Sequence, residues 1–482
     1  MTLARRVALA TAVQVVGKAL ALVFALLAVK VTTTYLGLDG YGSYAIVLAG
    51  SGLVFSIADL GIPMLLAREV AKNPDRADEI GGHLLSLRLA TCAAILALAA
   101  LAIPFLPYTT DERLGLLIAT AGLLAGSVSL FPVPFFQVNM RLELAAFSEV
   151  FTRAAALALL GLVVVLDLGF LPLVATIALA WTANLVLTFT LSRRFWRVNL
   201  RGDLRVAWGL ARAVLPIAVV GVLGLLHFKV DALLLSFLQP AADVGIYMLA
   251  YSVFEQGLFL PGLFMAAVFP ILTRAVHARD EAASRDVLDK SLRFLVVLGL
   301  VVSGLVFTLA GPLVRVLSDE EFGEAAGALR ILSFALLPLF ATAIFSSLLV
   351  SLADLRHVAY ASALGIAANI GLNLYFIPAY SYDGAAGVTV FSETLGFALI
   401  YAVAHRRAGA SVAVPVALRL GLLVALTVGV ALASLALPWW GAAPLVVGVS
   451  AAASLALGAV SREELRLVLR GDGGLRAAVD GG

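Results

Sequence analysis

The chain predicts an all-α fold: a polytopic membrane protein of about fourteen transmembrane helices. Three observations predict it. Hydrophobic residues make up 62% of the 482 residues and charged ones 13%, where soluble domains average ~25% charged. Mean hydropathy is +1.05. The apolar residues run in long stretches, and the charges fall almost entirely between them. Such a chain cannot cover itself with polar surface in water. In lipid it need not, provided that helices pair every backbone N–H and C=O internally.

The spans follow in order. Val7–Leu36 opens behind Arg5 and Arg6, a start that imitates a signal peptide. The run is too long for one and carries Lys18, so it is the first span. Tyr41–Leu66, Leu84–Leu106 and Leu114–Gln137 come next, then Phe147–Leu166 and Leu171–Leu191. Val214–Leu238, Val244–Leu272, Leu292–Leu313 and Ala325–Leu352 follow, then Val358–Ile377 and Ala385–Ala404. Val414–Leu437 and Pro444–Val460 close the series. Loops this short leave no room for a soluble catalytic domain. Cys92, the single cysteine, can form no intramolecular disulfide and reads as packing.

Lysine and arginine sort between alternate loops, which sets the orientation. With the N-terminus cytoplasmic, that side holds Arg68, Lys72, Arg76, Arg141, the run Arg193 to Arg212, Arg274 to Lys290, Arg356, Arg406 and Arg407, and Arg462 to Arg476. The opposite loops hold acids: Asp39, Asp111, Glu112, Asp167, Asp243, Asp319, Glu320, Glu321 and Asp383. One miscounted span would scramble this sorting. Both termini are therefore expected in the cytoplasm of a cell-membrane protein.

The chain also repeats itself. Gly40-Tyr41-Gly42-Ser43-Tyr44-Ala45 opens the second span, and Asp243-Val244-Gly245-Ile246-Tyr247-Met248 opens the eighth, about 200 residues later. The sixth and twelfth spans both end in an arginine pair, Arg193-Arg194 and Arg406-Arg407. Six spans per copy give both copies the same orientation. Residues 1–212 and 213–412 are then two parallel six-helix lobes, and 413–482 adds two helices and a cytoplasmic tail. Parallel repeats recur in transporters, with the site near the midplane between lobes, although a duplication can also be merely structural.

Several short motifs, in order, resemble one family: Tyr35-Leu36-Gly37, Gly40 to Tyr44, and Asp59-Leu60-Gly61-Ile62. Asn369, Asn373, Ile377-Pro378, Tyr382-Asp383-Gly384-Ala385-Ala386-Gly387 and Ser392-Glu393 complete them. The chain resembles the Wzx-type flippases of lipid-linked oligosaccharides, in the multidrug/oligosaccharidyl-lipid/polysaccharide (MOP) exporter superfamily. The resemblance covers essentially the whole length. It implies a bundle of two lobes around a central cavity. It also implies alternating access and export of an isoprenoid-(pyro)phosphate-linked glycan on undecaprenyl or dolichol carriers. The lipid II flippase MurJ and the MATE drug exporters are related; MATE proteins usually have twelve spans, and the two extra helices count against that branch.

A lipid-linked sugar phosphate must take its anionic head across ~30 Å of hydrocarbon, where an unshielded charge is costly. Cations inside spans are therefore expected to line the cavity: Lys18, Lys30 and Lys229. Lys30 lies ~18 Å along the helix from Lys18, and it also sits close enough to Gly37 to snorkel to the interface. Arg88, Arg153, Arg293 and Arg419 lie near cytoplasmic ends and read as snorkelling. Asp59, Asp231, Glu255 and Glu393 are intramembrane acids that either bind a coupling H⁺ or Na⁺ or pair with a neighbouring lysine. Asp59 is also placed to cap a break at Gly61-Ile62-Pro63. Asn184, Gln256, Asn369 and Asn373 suit sugar hydroxyls or interhelical hydrogen bonds.

An enzymatic reading finds little support. The five histidines are far apart, and HExxH, paired cysteines and a P-loop are all missing from the sequence. No cofactor or metal is expected. The expected partners are a lipid-linked oligosaccharide, membrane lipids and glycan-assembly proteins such as a polymerase. The arginine clusters suit anionic lipid and not nucleic acid. A MATE-like small-molecule exporter and a non-transporting assembly protein are the competing classes.

Overall fold

The computed structural model describes residues 3–59, 61–198, 200, 203–209, 211–212, 223, 229–410 and 414–458. These residues are helical almost throughout. In chain order the main helices are α1 (Leu3–Asp59), α2 (Ile62–Lys72), α3 (Ala77–Ala102), α4 (Thr110–Ser129), α5 (Val133–Val138), α6 (Leu142–Val165) and α7 (Phe170–Ser192). They continue with α8 (Val230–Leu238), α9 (Ala241–Gly257), α10 (Phe259–His277), α11 (Glu281–Leu317), α12 (Ala325–Ser333) and α13 (Leu336–Ser351). The last three are α14 (Leu355–Ala408), α15 (Val414–Ala433) and α16 (Trp439–Ala456).

Eleven stretches are long and apolar enough to cross a membrane, and two of them run 57 and 53 residues. Both long ones contain a turn. In α1 the turn is Gly37, at φ 66°, a conformation that costs glycine nothing because it has no Cβ. In α14 it is Ser381, at φ 47°, whose hydroxyl donates to Asp243 Oδ2 and so helps hold the strained backbone. Each long stretch thus supplies two spans, giving thirteen among the described residues. The remaining expected span, Val214–Leu238, lies mostly outside the described residues. The all-α polytopic class is therefore what the chain adopts. The expected break at Gly61-Ile62-Pro63 is present: Gly61 stands at φ 66° before α2, with Pro63 in its first turn.

The chain divides into two compact units. Unit 1 holds residues 1–249, 314–324 and 366–385; unit 2 holds 250–313, 325–365 and 386–482. In unit 1, α4 and α7 pack closely because Gly122 leaves no side chain between them: a Cβ there would fall on the Ala178 backbone. Small residues are what let membrane helices approach this way. A second core joins α2, α3 and α5 through Leu65, Leu66, Leu84, Phe131 and Phe135. Trp196 caps it, stacked on Phe135 at 4.9 Å, and Cys92 is buried within it. In unit 2, Phe345 packs edge-on against Tyr401 at 5.1 Å. Ser303 donates to the Ser333 carbonyl at 2.6 Å, and Thr273 bonds Ser351 at 2.9 Å. The α15–α16 pair is tied by Thr427 and Ser450 at 3.2 Å, and Val446 fills the space at Gly304 of α11.

Candidate functional site

The charged residues that the sequence places inside spans end up in three different settings. Lys18 is exposed and lies 3.6 Å from Glu149, an ion pair between α1 and α6. Lys30 donates to Asp319 Oδ1 at 2.9 Å and to the Ser318 carbonyl at 3.0 Å. Lys229 is half-buried and precedes α8 as its N-cap residue. Two residues on, Asp231 is only 1% exposed. Its Oδ1 accepts from the Ala232 N–H and its Oδ2 from the Tyr247 hydroxyl. Glu255 is exposed, and Glu393 is buried. The Asp59 side chain lies outside the described ones.

Of the amides, Asn184 makes an interhelical tie, and the Asn373–Asn369 and Gln256–Ser252 bonds stay within one helix. Asn184 of α7 is buried and donates to Ser129 of α4 at 3.1 Å. Asn373 donates to Asn369 one turn earlier at 2.9 Å, and both are buried. Gln256 bonds back to the Ser252 carbonyl at 3.3 Å.

Lys30 belongs to a larger set of contacts in unit 1. Thr33 donates to the Leu317 carbonyl at 2.8 Å, and the Leu38 N–H to Glu321 at 3.4 Å. Tyr41 meets Phe322 edge-on at 5.6 Å. Gly42 abuts Ala241 so closely that a Cβ would strike its carbonyl, and a Cβ on Gly245 would lie 3.2 Å from the Gly42 backbone. Gln239 donates to the Ile377 carbonyl at 2.8 Å. Tyr382 donates to Glu324. Tyr108 bonds Ser236 at 2.7 Å and stacks on Phe237. The turn of α1, the loop after α11, the α8–α9 turn and the turn of α14 therefore meet at one end of unit 1. Asp319 has its carboxyl held below the usual range, first by the Lys30 hydrogen bond and then by Thr34.

Sequence reasoning did not anticipate this junction beyond its glycines, because its partners lie nearly 300 residues apart in the chain. It also misplaced Arg88. Expected to snorkel, Arg88 is 1% exposed, donating to the Ala58 carbonyl and to the Ser127 carbonyl at 3.1 Å. The reason is the start of α3: it begins at Ala77, which puts Arg88 eleven residues inside the helix. Arg153 and Arg419 are exposed and Arg293 is half-buried. Among the described residues no group of three or more His, Cys, Asp or Glu side chains could hold a metal ion.

The fold is shared with known transporters. The lipid II flippase MurJ, in an inward closed conformation, superposes with TM-score 0.76 at 12% identity, over 92% of this chain and 97% of that one. An inward-facing MATE family transporter of the MOP superfamily gives TM-score 0.67 at 15% identity, over 82% and 98%. A MOP superfamily transporter from Pyrococcus furiosus gives 0.56 at 16%, over 83% and 93%. At these identities the likeness is one of fold. No curated protein matches the sequence significantly. The MatE family model matches residues 216–375. The model described as polysaccharide biosynthesis protein matches residues 3–276, more than half of the sequence. The chain therefore belongs to the polysaccharide biosynthesis protein family.

Proposed function

We propose that this transporter is a flippase, moving an isoprenoid-(pyro)phosphate-linked oligosaccharide from the cytoplasmic to the outer leaflet by alternating access. The observation that carries the reading is membership of the polysaccharide biosynthesis family. The fold shared with a lipid II flippase over nearly the whole chain supports it, and so do lysines inside apolar spans, which are rare without a polar cavity to serve. In this reading 1–212 and 213–412 are the moving lobes, and 413–482 is an appendage. The termini are cytoplasmic, in a cell membrane.

Lys18, Lys30 and Lys229 attract the phosphate and any acidic sugars, with Lys30 available once its Asp319 bridge opens. Asp231 is the favoured coupling group for H⁺ or Na⁺ because it is buried and already hydrogen-bonded; Glu255, Glu393 and Asp59 are the other candidates. Asn184, Gln256, Asn369 and Asn373 offer amides to sugar hydroxyls. The work is translocation, with no bond made or broken in the cargo.

The test is leaflet accessibility in a deletion strain. A hydrophilic probe applied outside intact spheroplasts is expected to miss lipid-linked oligosaccharide until this chain is expressed. Lys229→Ala is expected to abolish that rescue while the protein still inserts. Unchanged accessibility in the deletion would sink the assignment. The MatE match over 216–375 supports a second reading, an ion-coupled small-molecule exporter. A drug-sensitivity phenotype without a glycan defect would select it.

A further inference from the structure

The two ends of α14 come together in unit 2 around a cavity that cargo transport does not explain. His357, in the first turn of α14, accepts a 2.6 Å hydrogen bond at Nε2 from Arg407 Nη2, in the last turn. Its Nδ1 is bonded to Asp354 Oδ1, and Arg407 Nε lies 3.4 Å from Asp354 Oδ2. The guanidinium can only donate, so the ring faces Arg407 at Nε2 and the Asp354 carboxylate at Nδ1. Arg407 is thus pinned between two partners.

Beside it opens a cavity of about 390 Å³ lined by His357, Val403, Arg406 and Arg407. Arg406 makes no hydrogen bond or ion pair among the described residues. Asp354 offsets one of the two guanidinium charges; its carboxyl stays below the usual range, first because of the His357 hydrogen bond and then through His357 and Arg407 electrostatics. The lining therefore carries net positive charge.

Arginine at a helix C-terminus normally does no more than complement the helix dipole. Here two guanidiniums share a recess whose size falls in the ~300–1,000 Å³ range of ligand pockets, and one is oriented in advance by Asp354 and His357. Planar guanidinium forks match phosphate oxygens. Val403 supplies an apolar wall. Tyr360, edge-on to His357 at 6.4 Å and 71% exposed, is an aromatic of the kind found at the membrane–water boundary.

We propose that this cavity binds an anionic phosphate, and that the headgroup of a membrane phospholipid supplies it. The site is independent of what the transporter moves. The detergent-solubilised full chain would be titrated with phosphatidylglycerol and, separately, with inorganic phosphate. Thermal stability and retained lipid by native mass spectrometry are the readouts. Phosphatidylglycerol is expected to stabilise the wild type, and Arg406→Gln with Arg407→Gln to weaken that response at least ~tenfold, or 1.4 kcal/mol. Arg406→Gln alone removes no partner among the described residues, so it carries the test if the double variant misfolds; Arg406→Lys is expected to keep part of the response. Stabilisation by inorganic phosphate too, lost in the same variants, would mean that the bare anion suffices; a response to phosphatidylglycerol alone would assign the lipid. Equal lipid responses in wild type and Arg406→Gln, or no response in the wild type, overturn the proposal.

Discussion

Arg88 is the residue on which burial and charge conflict most sharply. It lies inside an apolar core yet donates to the backbone carbonyls of Ala58 and Ser127, the first of which comes just before the break at Gly61. A guanidinium has five donors in a fixed fork, so it can satisfy carbonyls that a broken helix leaves open. Arg88→Ala removes those donors and leaves a cavity. It is expected to cost on the order of 3 kcal/mol, read as a lower unfolding midpoint in detergent, and Arg153→Ala, at an exposed position, should change it little. Lys30 and Asp319 behave differently, since both are partly exposed. The Asp319 carboxyl titrates below its ordinary value, so its contribution is present above the unfolded pKa of ~3.9 and is lost as pH falls through the lower folded value. The melting-temperature difference between wild type and Asp319→Asn is therefore expected at neutral pH and should shrink away as acidification passes the lowered folded pKa of the carboxyl. A difference that persists there would assign it to packing.

At the scale of elements, the approach of α1 to α9 is set by two glycines. Gly42 and Gly245 occupy matching positions in the two sequence repeats, and they meet, with a Gly245 Cβ only 3.2 Å from the Gly42 backbone. Glycine at the matching position of the two similar sequence stretches thus allows a close seam between α1 and α9. Gly42→Val must displace the Ala241 carbonyl. Overpacking of this kind costs about 1–3 kcal/mol, so a fall in melting temperature is expected. Gly52→Ala, with nothing within 4 Å of its added Cβ, is the control and should not lower it. A Gly42→Val protein as stable as the wild type would show that the seam is loose.

At the scale of the molecule, the alternation of charge between loops predicts what each end meets. Single cysteines in a Cys92→Ala background are expected to label from outside at positions 319–321 and only after permeabilisation at 279–285. The reverse pattern would invert the topology and, with it, the direction of transport proposed here. The span count was legible in the sequence because lipid leaves helices as the one economical way to pair backbone groups, and hydropathy reports that requirement locally. The turn at Gly37 was legible only as a short gap between spans; the turn in α14 has serine, not glycine, at its positive-φ position, and the support of Ser381 by Asp243 comes from 138 residues away.

The sequence by itself determined the membrane class and the order of the spans that the described residues show, because these depend on local composition and period. It also placed Lys18, Lys30, Lys229 and Asp231 within or beside spans, since a charge in an apolar run is visible without any partner. Only the tertiary structure decided how those charges are engaged, Lys18 with Glu149, Lys30 with Asp319 and Asp231 with Tyr247, and that Arg88 lies inside a core. The same holds for His357, Asp354 and Arg407, which close a network between two ends of one 54-residue helix. Pairings across such distances follow from where helices turn and how closely their small residues let them pack. Neither is written in the hydropathy of any one segment.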